Sequence, residues 1–400
     1  MKSLKIALVT HGFIDGGGVA SIARFIRESL ELRGHSVTVF DVDCSSSSKI
    51  SRRLLNFKSL FRKSLIVHVR IKESQIFRVG TNCAEFEVAR YLPSKELDEH
   101  LNQFDVIQVV SGFGSFSNKL KRVKVPIVQQ IATRTQWERE SRIPNMGVLQ
   151  RFALTAQYPI LNRLEIGSVQ RCELTLVENI EMFNWANNLN SGSVSIWNPG
   201  VDTSVFFPAN KWSPENPFIA IGRLGEPRKG WERLITAFAL AIAERSDLPN
   251  LRIVGNGDLT HDCYALIDKL QLKERVSVMR NASREELADA LKNSSYFLQT
   301  SYEEGLGIAS LEAMASGLPV ISSKSFGSSQ VVSHGETGFL IVQDSDFETN
   351  FARCLIHAQQ LNGAEMARKA RRFVEENYQE SISINTLQDH YLGVIGYPNE

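Results

Sequence analysis

Two α/β domains, each built on a largely parallel sheet covered by helices on both faces, are the fold that this sequence predicts. Three observations lead there. Short apolar runs alternate with helix-length amphipathic segments. The alternation breaks at a proline-rich polar stretch after residue 200 and then restarts. The charge also changes sign across that break: residues 1–200 hold 26 Lys+Arg against 18 Asp+Glu and residues 201–400 hold 19 against 26, so the net +1 is the sum of +8 and −7. The expected domains are 1–200 and 201–376, with a last helix over 377–395 packing back on the first.

The elements follow in order. Ile6-Ala7-Leu8-Val9 is a buried-strand run, and Gly16-Gly17-Gly18 follows it. Ile22, Phe25, Ile26 and Leu30 share one face of a helix that ends at Gly34, before a second strand over Val37–Phe40. Strand runs at Val106–Val110, Ile127-Val128 and Leu174–Val177 continue the pattern. Beyond Pro208, Pro214 and Pro217, strands are expected at Phe218–Ile221, Leu251–Val254, Val276–Met279, Tyr296–Thr300 and Pro319–Ile321. Helices are expected between them at Trp231–Ala243, Tyr264–Leu270, Ser283–Lys292 and Ala309–Ser316.

Composition excludes several classes. No apolar run approaches the roughly 20 residues that span a bilayer, and the apolar stretch after Met1 is too short for a signal peptide; a cytoplasmic protein is expected. The five cysteines are dispersed and never form C-x-x-C, which argues against a disulfide framework or a zinc site and for free thiols.

Gly16-Gly17-Gly18 sits where a strand meets a helix N-terminus, a place suited to a phosphate, to a plain tight turn or to a dinucleotide. As a dinucleotide fingerprint it lacks the third glycine, Ser21 standing there, although Asp41 ends the next strand. Asp41-Val42-Asp43 and Asp344-Ser345-Asp346 both match the D-x-D of metal-dependent transferases, and two matches in one chain favour strand-end and helix-capping roles.

The second half is more specific. Arg223, just after a strand, and Lys229, just before a helix, bring two cations suited to a diphosphate leaving group, whose charge grows as its bond breaks. Gly255-Asn256-Gly257-Asp258 forms another turn after a strand. Glu304-Gly305-Leu306-Gly307-Ile308 leads into a helix carrying Glu312, which places two carboxylates eight residues apart around a glycine loop. The loop N–H groups suit phosphate and the acids suit sugar hydroxyls.

With these pieces, and with Asn198-Pro199-Gly200-Val201-Asp202, Leu311-Glu312-Ala313-Met314-Ala315-Ser316-Gly317-Leu318-Pro319-Val320-Ile321 and Gly335-Glu336-Thr337-Gly338-Phe339-Leu340, the chain resembles the retaining GT-B glycosyltransferases of glycosyltransferase family 4, marked by an E-x7-E motif. The resemblance implies two Rossmann-like domains facing a central cleft, acceptor first and donor second. It implies that Arg223 and Lys229 bind the donor diphosphate, Glu304 the transferred sugar and Glu312 the ribose. Gly305, Leu306, Gly307 and Ile308 would supply backbone contacts, and Gly17 and Gly18 would reach the donor from the first domain. Glu304, Arg223 and Lys229 would be the catalytic set. The family implies no metal and no cofactor beyond the UDP- or GDP-linked substrate, with the diphosphate itself helping to deprotonate the acceptor.

Three departures bear on the substrate. The histidines that relatives often carry in D-x-x-H-x-H and P-x-x-x-T-x-H are missing from Asp105–Val110 and Pro126–Ala132, and Gln330 stands where a glutamate is usual. On the acceptor side the candidates are His11, which a turn role explains equally well, and Gln129, Thr133 and Arg134. His35 and His261 are expected to be structural.

The basic excess of the first half is concentrated. From Cys44 to Lys72 there is no acid, and Lys49, Arg52, Arg53, Lys58, Arg62, Lys63, Arg70 and Lys72 are all basic. On a helix, Ile50, Leu54, Phe57, Leu60, Phe61 and Leu65 form one stripe with most of the bases elsewhere. That pattern predicts an interfacial helix over 49–65 on an anionic leaflet, worth about 1 kcal/mol per basic residue; a helix packed on its own domain is the alternative, and nucleic acid is not expected.

The expected protein is therefore a glycosyltransferase that moves a hexosyl or deoxyhexosyl group to a lipid-linked or membrane-associated glycan in surface polysaccharide or glycolipid assembly, peripheral on the inner face of the plasma membrane. The alternatives are a transferase acting on a soluble small molecule or a protein, a nucleotide-sugar epimerase, and a non-catalytic relative. With Ala132 in place of a histidine that would meet a donor 6-hydroxyl, a 6-deoxy or N-acetylated sugar donor is expected to turn over best in a donor panel, unless Gln129, Thr133 or Arg134 takes over that contact. Best turnover with an ordinary hexose donor, unchanged by replacing any of those three residues, would show the expectation to be wrong.

Overall fold

In a computed structural model of the 400-residue chain, the structure describes all residues except 1–2, 15–17, 55, 63–64, 72–73, 143–147, 190–191, 362 and 397–400, and the backbone alone at 70–71, 74–75, 140–142 and 148–154. Two compact units result: Met1–Pro199 together with Ile384–Glu400, and Gly200–Ser383.

The first unit holds β1 (Lys5–His11), β2 (Ser36–Val42), β3 (Ile66–Ile71), β4 (Ser74–Val79), β5 (Val106–Ser111), β6 (Ile127–Ile131), β7 (Leu174–Val177) and β8 (Ser193–Ile196). Their order in the sheet is β3-β4-β2-β1-β5-β6-β7-β8, parallel throughout except for the β3–β4 hairpin. Strands covered on both faces read as unbroken apolar runs, and Ile6–Val9 and Val109-Val110 are fully buried. Gln108 interrupts one such run, and its side-chain oxygen accepts a hydrogen bond from the buried Tyr391 hydroxyl at 2.8 Å. The last helix, Glu380–Ile395, holds to this unit from Ile384 onward: Asn385 accepts from Arg33 at 2.6 Å and Gln388 meets His35 at 2.7 Å. His35 also accepts from the Leu4 N–H at 3.1 Å, which makes it a clasp between chain ends.

The second unit holds β9 (Phe218–Ile221), β10 (Leu251–Gly255), β11 (Val276–Arg280), β12 (Phe297–Gln299), β13 (Val320–Ser323) and β14 (Gly338–Ile341). All are parallel, in the order β11-β10-β9-β12-β13-β14. Counted from β9, that is the 3-2-1-4-5-6 order of a Rossmann sheet, with its switch point between β9 and β12. Close backbone approach forces glycine at two places there. A Cβ at Gly255 would collide with the Gly222 carbonyl, and one at Gly230 (φ 67°) with the Thr300 carbonyl. The helices lie near their predicted places, Trp231–Glu244, His261–Lys269, Arg284–Lys292 and Ile308–Ala315, and Ser283 opens the third with a capping box to Glu286.

One expectation fails. Residues 49–65 do not form an interfacial helix: a single turn, Phe57–Leu60, is all the helix there is among the described residues. Local bonds account for this. The Ser59 hydroxyl bonds Arg53 and Asn56, the Arg52 N–H donates to the Thr81 carbonyl at 2.9 Å, and Gly80 lies so close to the Ile50 carbonyl that the segment is held against the chain just past the carboxyl end of β4. The apolar stripe is split as a result: Leu65 is buried, while Leu54, Phe57 and Phe61 face solvent. The β3–β4 hairpin and β8 lie outside the expected strands, although Val67-His68-Val69-Arg70-Ile71 and Ser193-Val194-Ser195-Ile196 alternate apolar with polar residues as half-buried strands do.

Candidate active site

At the carboxyl end of β9 the chain turns at Gly222, and a 3-10 turn over Pro227–Lys229 ends at the left-handed Gly230, from which the helix Trp231–Glu244 departs. At the carboxyl end of β12 the loop 300–307 runs to Gly307 (φ 87°), which starts the helix Ile308–Ala315. The switch point thus brings Lys229 onto Glu304, 75 residues away in sequence, as a direct ion pair.

Glu304 is buried at 8% exposure. The same oxygen that meets Lys229 also accepts from Ser301 Oγ at 2.7 Å and Gln299 Nε2 at 3.3 Å. Gln299 is held in turn by the Ser310 and Ser322 hydroxyls at 3.2 and 3.1 Å. Burial by itself would raise the Glu304 carboxyl; the Lys229 and Arg228 charges, with hydrogen bonds from Lys229 and Ser301, outweigh it and hold the pKa below its ordinary value. The carboxylate therefore stays ionised. The Gly327 N–H donates to the Glu304 carbonyl at 3.0 Å, and a Cβ at Gly327 would crowd the Gly305 carbonyl at 2.6 Å, so the loop is clamped from both sides. Leu306 is buried beneath it.

Arg223 lies beside this cluster in sequence but is half exposed, and its guanidinium pairs with Glu226 at 2.9 Å. Glu312 is partly buried on the helix that the glycine loop opens; desolvation pushes its carboxyl up to about 7, with Arg284 opposing. One end of the motif is thus a fixed anion and the other an acid poised between its two forms.

The other predicted residues lie in the first unit. Gly17 lies outside the described residues, and Gly18 begins the helix Gly18–Leu32. His11 ends β1 with its ring 5.4 Å from that of Phe116, and burial lowers its pKa to about 4, which leaves it neutral at pH 7. Asp41 accepts from the Phe13 N–H at 3.1 Å and so fixes the loop after β1, the strand-end role. Gln129 is enclosed in the sheet, donating to Thr175 Oγ1 at 2.9 Å. Thr133 and Arg134 follow the carboxyl end of β6: the Thr133 N–H donates to the Gly112 carbonyl at 3.0 Å, and the Arg134 guanidinium lies over Trp185 at 4.5 Å and Trp137 at 5.4 Å. The buried Glu165 accepts from both the N–H and the hydroxyl of Thr135, anchoring this turn. Asp344 accepts from the Asp346 N–H at 3.1 Å, a local turn. The Gln330 side chain hydrogen-bonds the Tyr378 hydroxyl.

Sequence reasoning missed Gln299, Ser301, Ser310 and Arg228. The available signal was polar side chains, Gln299 to Ser301, at the end of an otherwise apolar strand.

Residues 203–375 match the family model for glycosyl transferases group 1. The D-inositol 3-phosphate glycosyltransferase of Corynebacterium glutamicum is 29% identical over 166 residues, 37% of this chain and 39% of that protein. The chain thus matches about two fifths of the length of such a curated relative. Among solved structures, a sucrose-phosphate synthase from Thermosynechococcus elongatus superposes with a TM-score of 0.75 at 16% identity, covering 99% of this chain and all of the other. An Anabaena protein, HepE, in complex with UDP-glucose gives 0.68 at 16% identity over 98% of this chain and 100% of its own.

The raised Glu312 carboxyl has a measurable consequence. Its folded pKa of about 7 lies above the ordinary 4.5, so the stabilisation from holding the neutral acid is complete below pH 4.5 and is lost as pH rises through 7. Relative to Glu312→Gln, the wild type is expected to lose about 1–2 kcal/mol between pH 5 and 8, allowing for partial exposure. Thermal midpoints measured across that range test this, and parallel profiles would refute it. Together, the strand order and the superpositions establish a GT-B fold, and its residues 203–375 are similar to the glycosyl transferases group 1.

Proposed function

We propose that this protein is a retaining glycosyltransferase that takes a sugar from a UDP- or GDP-linked donor. The observation that carries the reading is the buried Lys229–Glu304 pair at the switch point of the second sheet, where Rossmann-type sheets receive nucleotides. Lys229 is placed to meet the diphosphate, and Arg223, exposed and paired with Glu226, can swing to it. Glu304, kept ionised, accepts sugar hydroxyls, and Glu312 accepts those of the ribose. The loop from Gly305 to Ile308 offers backbone N–H groups at the positive end of a helix. These cations do the work that a metal does elsewhere, so the reaction is proposed to need none. The family match and the UDP-glucose complex of a structural neighbour support the donor class.

The acceptor is proposed to be a lipid-linked or membrane-associated glycan, reached through the first unit, where His11, Thr133 and Arg134 stand at carboxyl ends of strands. Leu54, Phe57 and Phe61 are exposed, the last two 72% each, and their rings meet at 5.2 Å. Lys49, Arg52, Arg53, Lys58 and Arg62 lie around them in sequence. A short aromatic tip with basic flanks replaces the predicted helix as the membrane-facing feature.

Two measurements test these statements. With donor and acceptor panels, Lys229→Ala and Glu304→Ala are each expected to lower kcat/KM by about 10²–10³, with Glu312→Ala acting mainly on the donor KM; undiminished product formation by folded Glu304→Ala protein would refute the role given to Glu304, and no product from the wild type across the panels would favour a non-catalytic relative. In co-sedimentation, vesicles of mixed phosphatidylglycerol and phosphatidylcholine are expected to retain the protein, and Phe57→Ser with Phe61→Ser to lower the bound fraction several-fold. Equal retention of wild type and double variant would remove the membrane role.

A further inference from the structure

A cavity of about 450 Å³ lies within the second unit, away from the candidate active site. Asn216, Ser294 and Leu318, which line it, come just before β9, β12 and β13, whereas Arg223 and Glu304 come just after β9 and β12. In a parallel sheet those are opposite ends, and four residues of strand at about 3.3 Å each set roughly 13 Å between them. The volume is that of a small-molecule site.

The walls are built and rigid. Trp212 forms part of the floor; its indole N–H donates to the Ser295 carbonyl at 2.7 Å and its ring meets Tyr296 edge-on at 5.6 Å. Gly363 is glycine because a Cβ there would strike the Trp212 ring, and a Cβ at Gly317 (φ 75°) would lie 2.9 Å from that of Pro208. Arg371 locks one side: it pairs with Glu375 at 2.7 Å and donates to the carbonyls of Phe206 and Ala315 at 2.6 and 2.5 Å.

The rim is cationic. Lys211, Lys292 and Arg368 line the cavity, and among the described residues no carboxylate pairs with any of them. Lys292 instead rests over the Phe207 ring at 4.1 Å. Arg372 is matched by Glu376 at 3.0 Å, and Glu375 is committed to Arg371. Three uncompensated cations over an apolar floor stand out in a half of the chain that carries 26 acids against 19 bases. A single carboxylate would neutralise one of them, whereas a phosphate monoester brings close to two negative charges and three acceptor oxygens.

We propose that this cavity is a second ligand site, for a small organic phosphate whose apolar or planar part lies on Trp212 and whose phosphate meets Lys211, Lys292 and Arg368. The site does not depend on the donor reading, since it shares no residue with it.

Isothermal titration of the full chain with phenyl phosphate at low salt tests this. Binding is expected in the wild type and in Lys229→Ala. It is expected to weaken at least tenfold in Lys292→Glu/Arg368→Glu and in Ala364→Phe, which fills the floor without removing a charge and keeps the test open if the charge-reversed variant misfolds. Inorganic phosphate is expected to bind at least tenfold more weakly. Absence of phenyl phosphate binding, loss of binding in Lys229→Ala with the cavity variants unaffected, or equal affinity for inorganic phosphate would each overturn the proposal.

Discussion

A carboxylate buried at the mouth of a parallel sheet must be compensated, and the ion pair between Glu304 and Lys229 is the constraint around which the candidate site is arranged. Removing one partner of such a pair costs about 3–5 kcal/mol because an uncompensated charge is left behind. The two residues lie 75 apart in sequence, on loops that follow β9 and β12, so the pair can form only at a switch point where those strands are neighbours. Glycines accompany it: Gly230 lets the first loop approach the Thr300 backbone of the second, Gly255 and Gly327 admit the Gly222 and Gly305 carbonyls, and a Cβ at Gly222 would crowd the Lys229 and Trp231 side chains.

The same pair makes the site responsive. In the proposed reaction Lys229 is shared between Glu304 and an incoming diphosphate. Glu304 does not lose all support when Lys229 turns to phosphate, because Ser301 and the Gln299 network remain. Among the described residues no lysine pairs with Glu312, eight residues on, and its neutral form competes with its charged one near pH 7. Two acids of one motif are set apart by their surroundings alone, as environment-tuned carboxylates generally are.

Charge is distributed by place more than by amount. The second half is acidic overall, yet six of its 19 bases stand at the two ends of the sheet: Arg223, Arg228 and Lys229 past the carboxyl ends, Lys211, Lys292 and Arg368 near the amino ends. In the first unit the basic excess lies largely in one segment that borders the sheet edge and carries two exposed phenylalanines. A net charge of +1 conceals all three accumulations.

The sequence by itself determined the architecture and singled out the residues of the candidate site. Unbroken apolar runs such as Ile6–Val9 mark strands buried on both faces, and the spacing of Arg223, Lys229, Glu304 and Glu312 around glycine turns marks the candidate site, because both signals are local along the chain. Periodicity misled at 49–65, where an apolar stripe compatible with a helix lost to hydrogen bonds from Ser59 and to the close approach of Gly80. It gave no hint that Gln129 is committed to Thr175, that Ser301 and Gln299 hold Glu304, or that segments near 210, 293, 317 and 368 enclose a cavity. Those outcomes depend on which distant segments meet, and only the tertiary structure decides that: burial patterns report how deep a residue lies, while the partner that satisfies a buried charge or hydrogen bond is chosen by the packing of the whole unit.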